Sequence, residues 1–228
     1  MVSIIPAILP RNFEELEKKL ERVRGEVSRV QLDVVDGKFS EIKTIGPEEL
    51  NRVDTMVLFD VHLMVERPEN WIKRCVMGGV DRVFGQVERM TDKVAFIADA
   101  QVEGLAVGLA YDIDTFLDGL EEVVADLDAV LLMSVKAGGQ GREFDERVLE
   151  KIKQVRKMSK TVRMVIDGAM DEERIKKCIA AEGKEEMGKD ELNRSTALLE
   201  FAVGSHLFES DDVRQELLNL KNLKEHDS

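Results

Sequence analysis

The chain has 228 residues, 43% of them hydrophobic, and a formal net charge of -13. That length suits one large α/β domain, and the acidic balance repels phosphate backbones and anionic lipid, which argues against nucleic acid or a membrane surface as partner. No apolar run reaches the roughly 20 residues that span a bilayer, and "MVSIIPAILPRNF" lacks the basic start and cleavage site of a signal peptide, so a cytoplasmic location is expected.

Taken in chain order, short apolar runs alternate with amphipathic stretches. The first strand, "SIIPAIL", leads into "NFEELEKKLERV", a helix with Asn12 placed as N-cap. The second, "VSRVQLDVV", carries Asp33 inside an apolar run and ends at Asp36-Gly37, read as a turn. The third, "MVLFDVHLMV", is followed by Pro68 at a first helical position, and the fourth is "VDRVFGQVE". After the fifth, "GLAVGLAY", the pattern "DTFLDGLEEVVADL" predicts a helix capped by Asp114. The sixth, "LDAVLLMSV", precedes the helical "DERVLEKIKQVRKM"; the seventh, "TVRMVIDG", precedes "DEERIKKCIAAE", capped by Asp171. A charged stretch at about 181–197 reads as an added surface helix before the eighth strand, "LLEFAVGS", and the tail 222–228 reads as flexible.

Continuously apolar strands belong to parallel sheets covered on both faces, and eight strand–helix rounds predict a (β/α)8 TIM barrel formed by a single domain over residues 1–228. A doubly wound open sheet is the alternative, but it does not naturally use eight consecutive units. Cys75 and Cys178 lie far apart in helical patterns without metal-type spacing and read as reduced thiols. With only His62, His206 and His226 available, a site built mainly of imidazoles is excluded.

In such a barrel, chemistry sits at the carboxyl ends of the strands. The polar residues there are Gln31 and Asp33, His62, Gln86 and Glu88, Lys136, and Asp167, with glycine turns in "KAGGQG", "IDGA" and "VGS". Singly, each has a bland reading as a helix cap, a loop anchor or a positive-φ turn. Together, Asp33, His62 and Asp167 come from three strands and converge on one mouth.

The segments "QLDVVDGKF", "DVHLMVERPE", "VGLAYDIDT", "LLMSVKAGGQGREF", "VIDGAM" and "VGSHLF" follow the order of the landmark segments of ribulose-phosphate 3-epimerases. The opening "IIPAILPRNFEEL" resembles a divergent form of that family's first strand, so the likeness spans residue 3 to about 210. It implies a barrel isomerase that binds a small phosphorylated sugar, inverts C3 of a pentulose 5-phosphate through an enediolate, and commonly assembles into homo-oligomers. The two-base mechanism needs one ionised and one protonated carboxyl on opposite sides of the substrate, and Asp33 and Asp167 match the family's two acids.

The resemblance also implies one divalent metal (Mn, Mg, Fe or Zn) that stabilises the enediolate as a Lewis acid. Asp33, His62 and Asp167 match three of its ligands, whereas Gln31 stands where a second histidine is expected. A neutral amide oxygen in that set weakens binding and favours harder ions such as Mn²⁺ or Mg²⁺. The substrate is expected against His62, Met64 and Met133, with its phosphate on backbone N–H groups near Gly138, Gly139, Gly168, Ala169, Gly204 and Ser205. The sequence departs from the family at Ala7, Pro10, Asn12, Val35 and Gln86, and Ala169 replaces a glycine that it can match only with a negative φ. An epimerase of another ketose phosphate, such as a ketohexose 6-phosphate, and a catalytically silent phosphate-binding barrel are the alternatives.

Overall fold

A computed structural model describes residues 2–139, 141–182 and 198–223. Eight strands form one closed, wholly parallel barrel in sequence order: β1 (Ser3–Ile8), β2 (Arg29–Val35), β3 (Leu58–Met64), β4 (Arg82–Gln86), β5 (Ala106–Tyr111), β6 (Ala129–Met133), β7 (Arg163–Asp167) and β8 (Leu199–Val203). Closure is made by β1 on β8, from Ser3 opposite Glu200 to Pro6 opposite Val203. The described helices are α1 (Phe13–Val23), α2 (Ile72–Met77), α3 (Lys93–Val102), α4 (Arg147–Met158), α5 (Glu172–Glu182), α6 (Ser205–Glu209) and α7 (Val213–Lys221). None is long and apolar enough to cross a membrane. The charged stretch read as an added helix falls, apart from the end of α5, outside the described residues, as does most of the tail.

Strand side chains alternate between two cores because successive residues point to opposite faces. Val30, Leu32 and Val34 of β2, Val61 and Leu63 of β3 and Val130 and Leu132 of β6 join the layer between barrel and helices. Ala7, Val35, Met64, Phe84, Leu131, Met133, Val165 and Ala202 fill the barrel itself. Gly108 has no room for a Cβ because the Phe84 ring occupies that space.

The helix ends follow local chemistry. Asn12 accepts the Glu15 N–H at 2.9 Å and Asp171 accepts the Arg174 N–H at 2.9 Å, so both caps fall where the sequence puts them. Pro68 opens a short 3-10 turn, Pro68–Trp71, that feeds α2. The helix expected over 114–127 is not formed. That segment runs as successive turns with only a 3-10 piece at Val124–Asp126, and Gly119 sits at φ 72. Its periodic apolar residues, Leu117, Leu120, Val123, Val124 and Leu127, are still buried, because turns returning every three or four residues satisfy the same spacing as a helix. Asp114, instead of capping, pairs with Arg147 at 2.8 Å.

Candidate active site at the barrel mouth

Gln31 and Asp33 stand two apart on β2 and therefore share its inward face. Asp33 lies in register with His62 of β3, and Asp167 ends β7 beside Met133 of β6. Parallel registry thus brings three strands' polar residues to one level. One ligand atom from each of Asp33, His62 and Asp167 lies within 4.8 Å of the others. Gln31 bridges the two acids: its Nε2 donates to Asp33 Oδ1 at 2.8 Å and to Asp167 Oδ2 at 2.6 Å.

The imidazole of His62 is fully buried, with Nε2 2.7 Å from Oε1 of Gln86. An amide oxygen can only accept, so Nε2 carries a proton and Nδ1 is left to face Asp33 and Asp167 at 3.6 and 3.7 Å. Burial opposes a charge on His62, but the carboxylates of Asp167 and Asp33 outweigh it and raise its pKa to about 10. Burial is also the largest influence on Asp33; with the nearby Asp167 charge it raises that carboxyl's pKa, against the pull of His62 and Gln31.

Three polar atoms of this cluster are buried with no hydrogen-bond partner: His62 Nδ1, Gln31 Oε1 and Gln86 Nε2. Such orphans are rare unless an ion, water or ligand answers them. An unpaired ring nitrogen facing two convergent carboxylates has the donor chemistry of a divalent-cation site, so Asp33, His62 and Asp167 fit a metal. Gln31 is beside them, with its NH₂ group rather than its oxygen towards the acids.

Above the cluster opens a cavity of about 300 Å³. Asp33 and Asp167 reach it, whereas Gln31 and His62 lie beneath its lining. Met64 and Met133 form part of its apolar wall, as the sequence suggests, and Val35 packs with them. Gly138, Gly139, Gly168, Ala169, Gly204 and Ser205 line the other end. Gly138 and Gly168 have φ of 90 and 110, and a Cβ on Gly168 would sit 2.6 Å from Val135.

Ala169 corrects the expectation of a negative φ: its φ is 51, in the left-handed region that costs an L-residue roughly 1–2 kcal/mol. Its carbonyl accepts from Arg174 Nη1 at 2.6 Å, a charged bond that holds the turn in place.

Two rim residues turn away from the cavity. Glu88 accepts the Asp112 N–H at 2.8 Å, and Lys136 is exposed. Asp36 is a turn former: Oδ1 accepts from Lys38 and Phe39, and Oδ2 from Glu66. Sequence reasoning missed Arg142 and Arg174, which both line the cavity. Their positions immediately after the glycine run and in the first turn after "IDGA" were the available signals.

A closed parallel barrel with a carboxylate–histidine cluster under a glycine-rimmed mouth defines the class of (β/α)8 enzymes. Comparison with known proteins makes this specific. The model of the ribulose-phosphate 3 epimerase family matches residues 3–187. The ribulose-phosphate 3-epimerase of Bacillus subtilis (strain 168) is 33% identical over 181 residues, 76% of this chain and 83% of that protein. That of Encephalitozoon cuniculi (strain GB-M1) is 36% identical over 167 residues, 72% and 76% of the two chains. The chain belongs to the ribulose-phosphate 3-epimerase family and is an isomerase of the epimerase type. Among solved structures, 3-hexulose-6-phosphate synthase from Salmonella typhimurium superposes with a TM-score of 0.67 at 12% identity, over 98% of this chain and 100% of that one, a likeness of fold.

Proposed function

We propose that the protein inverts C3 of a pentulose 5-phosphate, with Asp33 and Asp167 as the two proton carriers. One observation carries the reading: two carboxylates from different strands reach one cavity, tied together by the Gln31 amide. An epimerisation of this kind takes the C3 proton with one carboxyl and returns a proton to the opposite face with the other. Gln31 fixes the spacing of the two acids by donating to both. Met64 and Met133 supply an apolar wall that keeps water from the reacting carbons, and the glycine turns hold the phosphate at the far end.

A divalent cation held by Asp33, His62 and Asp167 would supply Lewis-acid stabilisation of negative charge on the substrate's oxygens. Two carboxylate oxygens and a single imidazole nitrogen form an oxygen-rich set, which favours Mn²⁺ or Mg²⁺ over Zn²⁺.

The test is NMR-monitored exchange of the C3 proton of ribulose 5-phosphate in D₂O, with metal-free protein and with each of Mn²⁺, Mg²⁺, Fe²⁺ and Zn²⁺. Exchange with appearance of xylulose 5-phosphate is the expected result. Its absence with every ion overturns the assignment for this substrate and moves the question to larger ketose phosphates.

A further inference from the structure

The chain carries a formal net charge of -13, which works against an anionic substrate, yet two arginines line the glycine-rimmed end of the mouth. Each is anchored to the backbone of one glycine turn. Arg142 Nη1 donates to the carbonyls of Lys136 and of Ala137, the latter at 3.0 Å, just before the Gly138–Gly139 turn. The rest of its guanidinium lies on Gly139: a Cβ there would be 3.2 Å from Nη2 and 3.5 Å from Nε. Arg174 reaches from the first turn of α5, where Nη1 holds the Ala169 carbonyl at 2.6 Å and pairs with Asp171 at 3.2 Å. Asp171 is already engaged by Arg174, and Glu209 and Asp167 are acids that line the same cavity.

We infer that Arg142 and Arg174 are substrate-binding residues that recognise the dianionic phosphate by charge-assisted hydrogen bonds, adding side-chain recognition to the backbone cradle. This rests on the epimerase reading for the identity of the substrate, but not for the anion itself. A guanidinium presents five N–H groups in a rigid fork, so one spent on a carbonyl leaves others for phosphate oxygens. Tethering at Nη1 also pre-positions the fork, which reduces the ordering cost when the anion binds. The arrangement further explains how Ala169 is tolerated at φ 51 in the phosphate turn, because Arg174 fixes the peptide that follows it.

The variants Arg142→Gln and Arg174→Gln, with Arg142→Lys and Arg174→Lys beside them, are compared for turnover of ribulose 5-phosphate and of unphosphorylated ribulose, and for binding of inorganic phosphate by calorimetry. Charge-assisted bonds of this type predict that each Gln variant raises KM for the phosphorylated sugar and weakens phosphate binding by about 10- to 100-fold. The loss on the phosphorylated sugar falls mainly on KM and exceeds any loss on unphosphorylated ribulose, and the Lys variants fall between, keeping charge but losing the fork. Unchanged KM and phosphate affinity overturns the inference. So does an equal loss on both sugars, which marks the arginines as loop braces only, and so does a wild-type protein that binds no phosphate. If wild-type protein binds phosphate through these arginines but epimerises no pentulose phosphate, the anion assignment stands and the epimerase reading falls.

Discussion

The two ends of the barrel interior use the same strands and the same inward positions, but they settle their charges differently. At the amino-terminal end, Asp60 and Arg82 are buried, as is Glu200, and Arg29 reaches in from the edge. Both oxygens of Asp60 are taken, Oδ1 by Arg29 and Oδ2 by Arg82, and both oxygens of Glu200 by Arg82 at 2.6 Å and Arg163 at 3.4 Å. Roughly 6–7 Å higher, two strand residues on by the rise of the chain, Gln31, His62 and Asp167 are left with an open cavity above them and unanswered atoms among them. With every carboxylate oxygen engaged, the lower cluster is a plug, although Arg82 Nε is buried there without a partner. Incomplete pairing keeps the upper one able to take a ligand, which is the usual mark of a site where stability is given up for chemistry.

Substitutions at the two ends sharpen that contrast. On the proposed assignment, Asp167→Asn or Asp33→Asn lowers turnover by about 10²- to 10⁴-fold, as loss of general acid–base catalysis entails. Urea titration should show stability within about 1 kcal/mol of wild type, because Asn still accepts from Gln31 and one of two adjacent buried charges is gone. Arg82→Ala does the reverse. It strands Asp60 and Glu200, and a broken buried ion pair costs about 3–5 kcal/mol, readable as a lowered Tm in calorimetry. Equal stability losses at the two ends would dissolve the distinction.

Gln86→Leu tests the upper cluster without touching an acid. Loss of the amide oxygen frees the His62 ring, and on the proposed metal assignment divalent-cation affinity measured by calorimetry falls by about 10- to 100-fold, the usual effect of removing the group that orients a ligand histidine. At the rim, Ala169→Gly relieves a left-handed alanine and raises stability by about 1 kcal/mol in chemical denaturation.

A comparably small effect is expected at Asp36. Some burial raises its carboxyl's pKa, but the N–H groups of Glu66, Phe39 and Lys38 outweigh it and hold the pKa below its ordinary 3.8. A depressed carboxylate pKa contributes stability that is present above the unfolded value and lost as pH falls through the folded one. Asp36→Asn therefore costs about 1 kcal/mol at pH 7, and the difference from wild type shrinks as the pH falls below 3.8.

The contrast between the ends was only half legible from the residue order. Asp33, His62 and Asp167 stand out because each interrupts an apolar run close to a strand's carboxyl end. The lower cluster follows from the same alternation, since Arg29 lies two before Gln31 and Asp60 two before His62, but nothing local says that Arg82 and Glu200 answer them. The segment 114–127 shows the opposite limit. Its spacing fits a helix or a chain of turns equally well, and Gly119 at positive φ with burial against the barrel selects the turns.

By itself the sequence determined the eightfold strand–helix alternation, the helix caps at Asn12 and Asp171 and the family, because each is written in neighbouring residues and in the order of short segments. Only the tertiary structure decided that Gln31 bridges the two acids, that Gln86 orients His62, that Ala169 adopts φ 51, and that Arg142 and Arg174 meet at one cavity. Those relations join residues from different strands and loops across the barrel, and their distances are set by strand register and closure rather than by any interval along the chain.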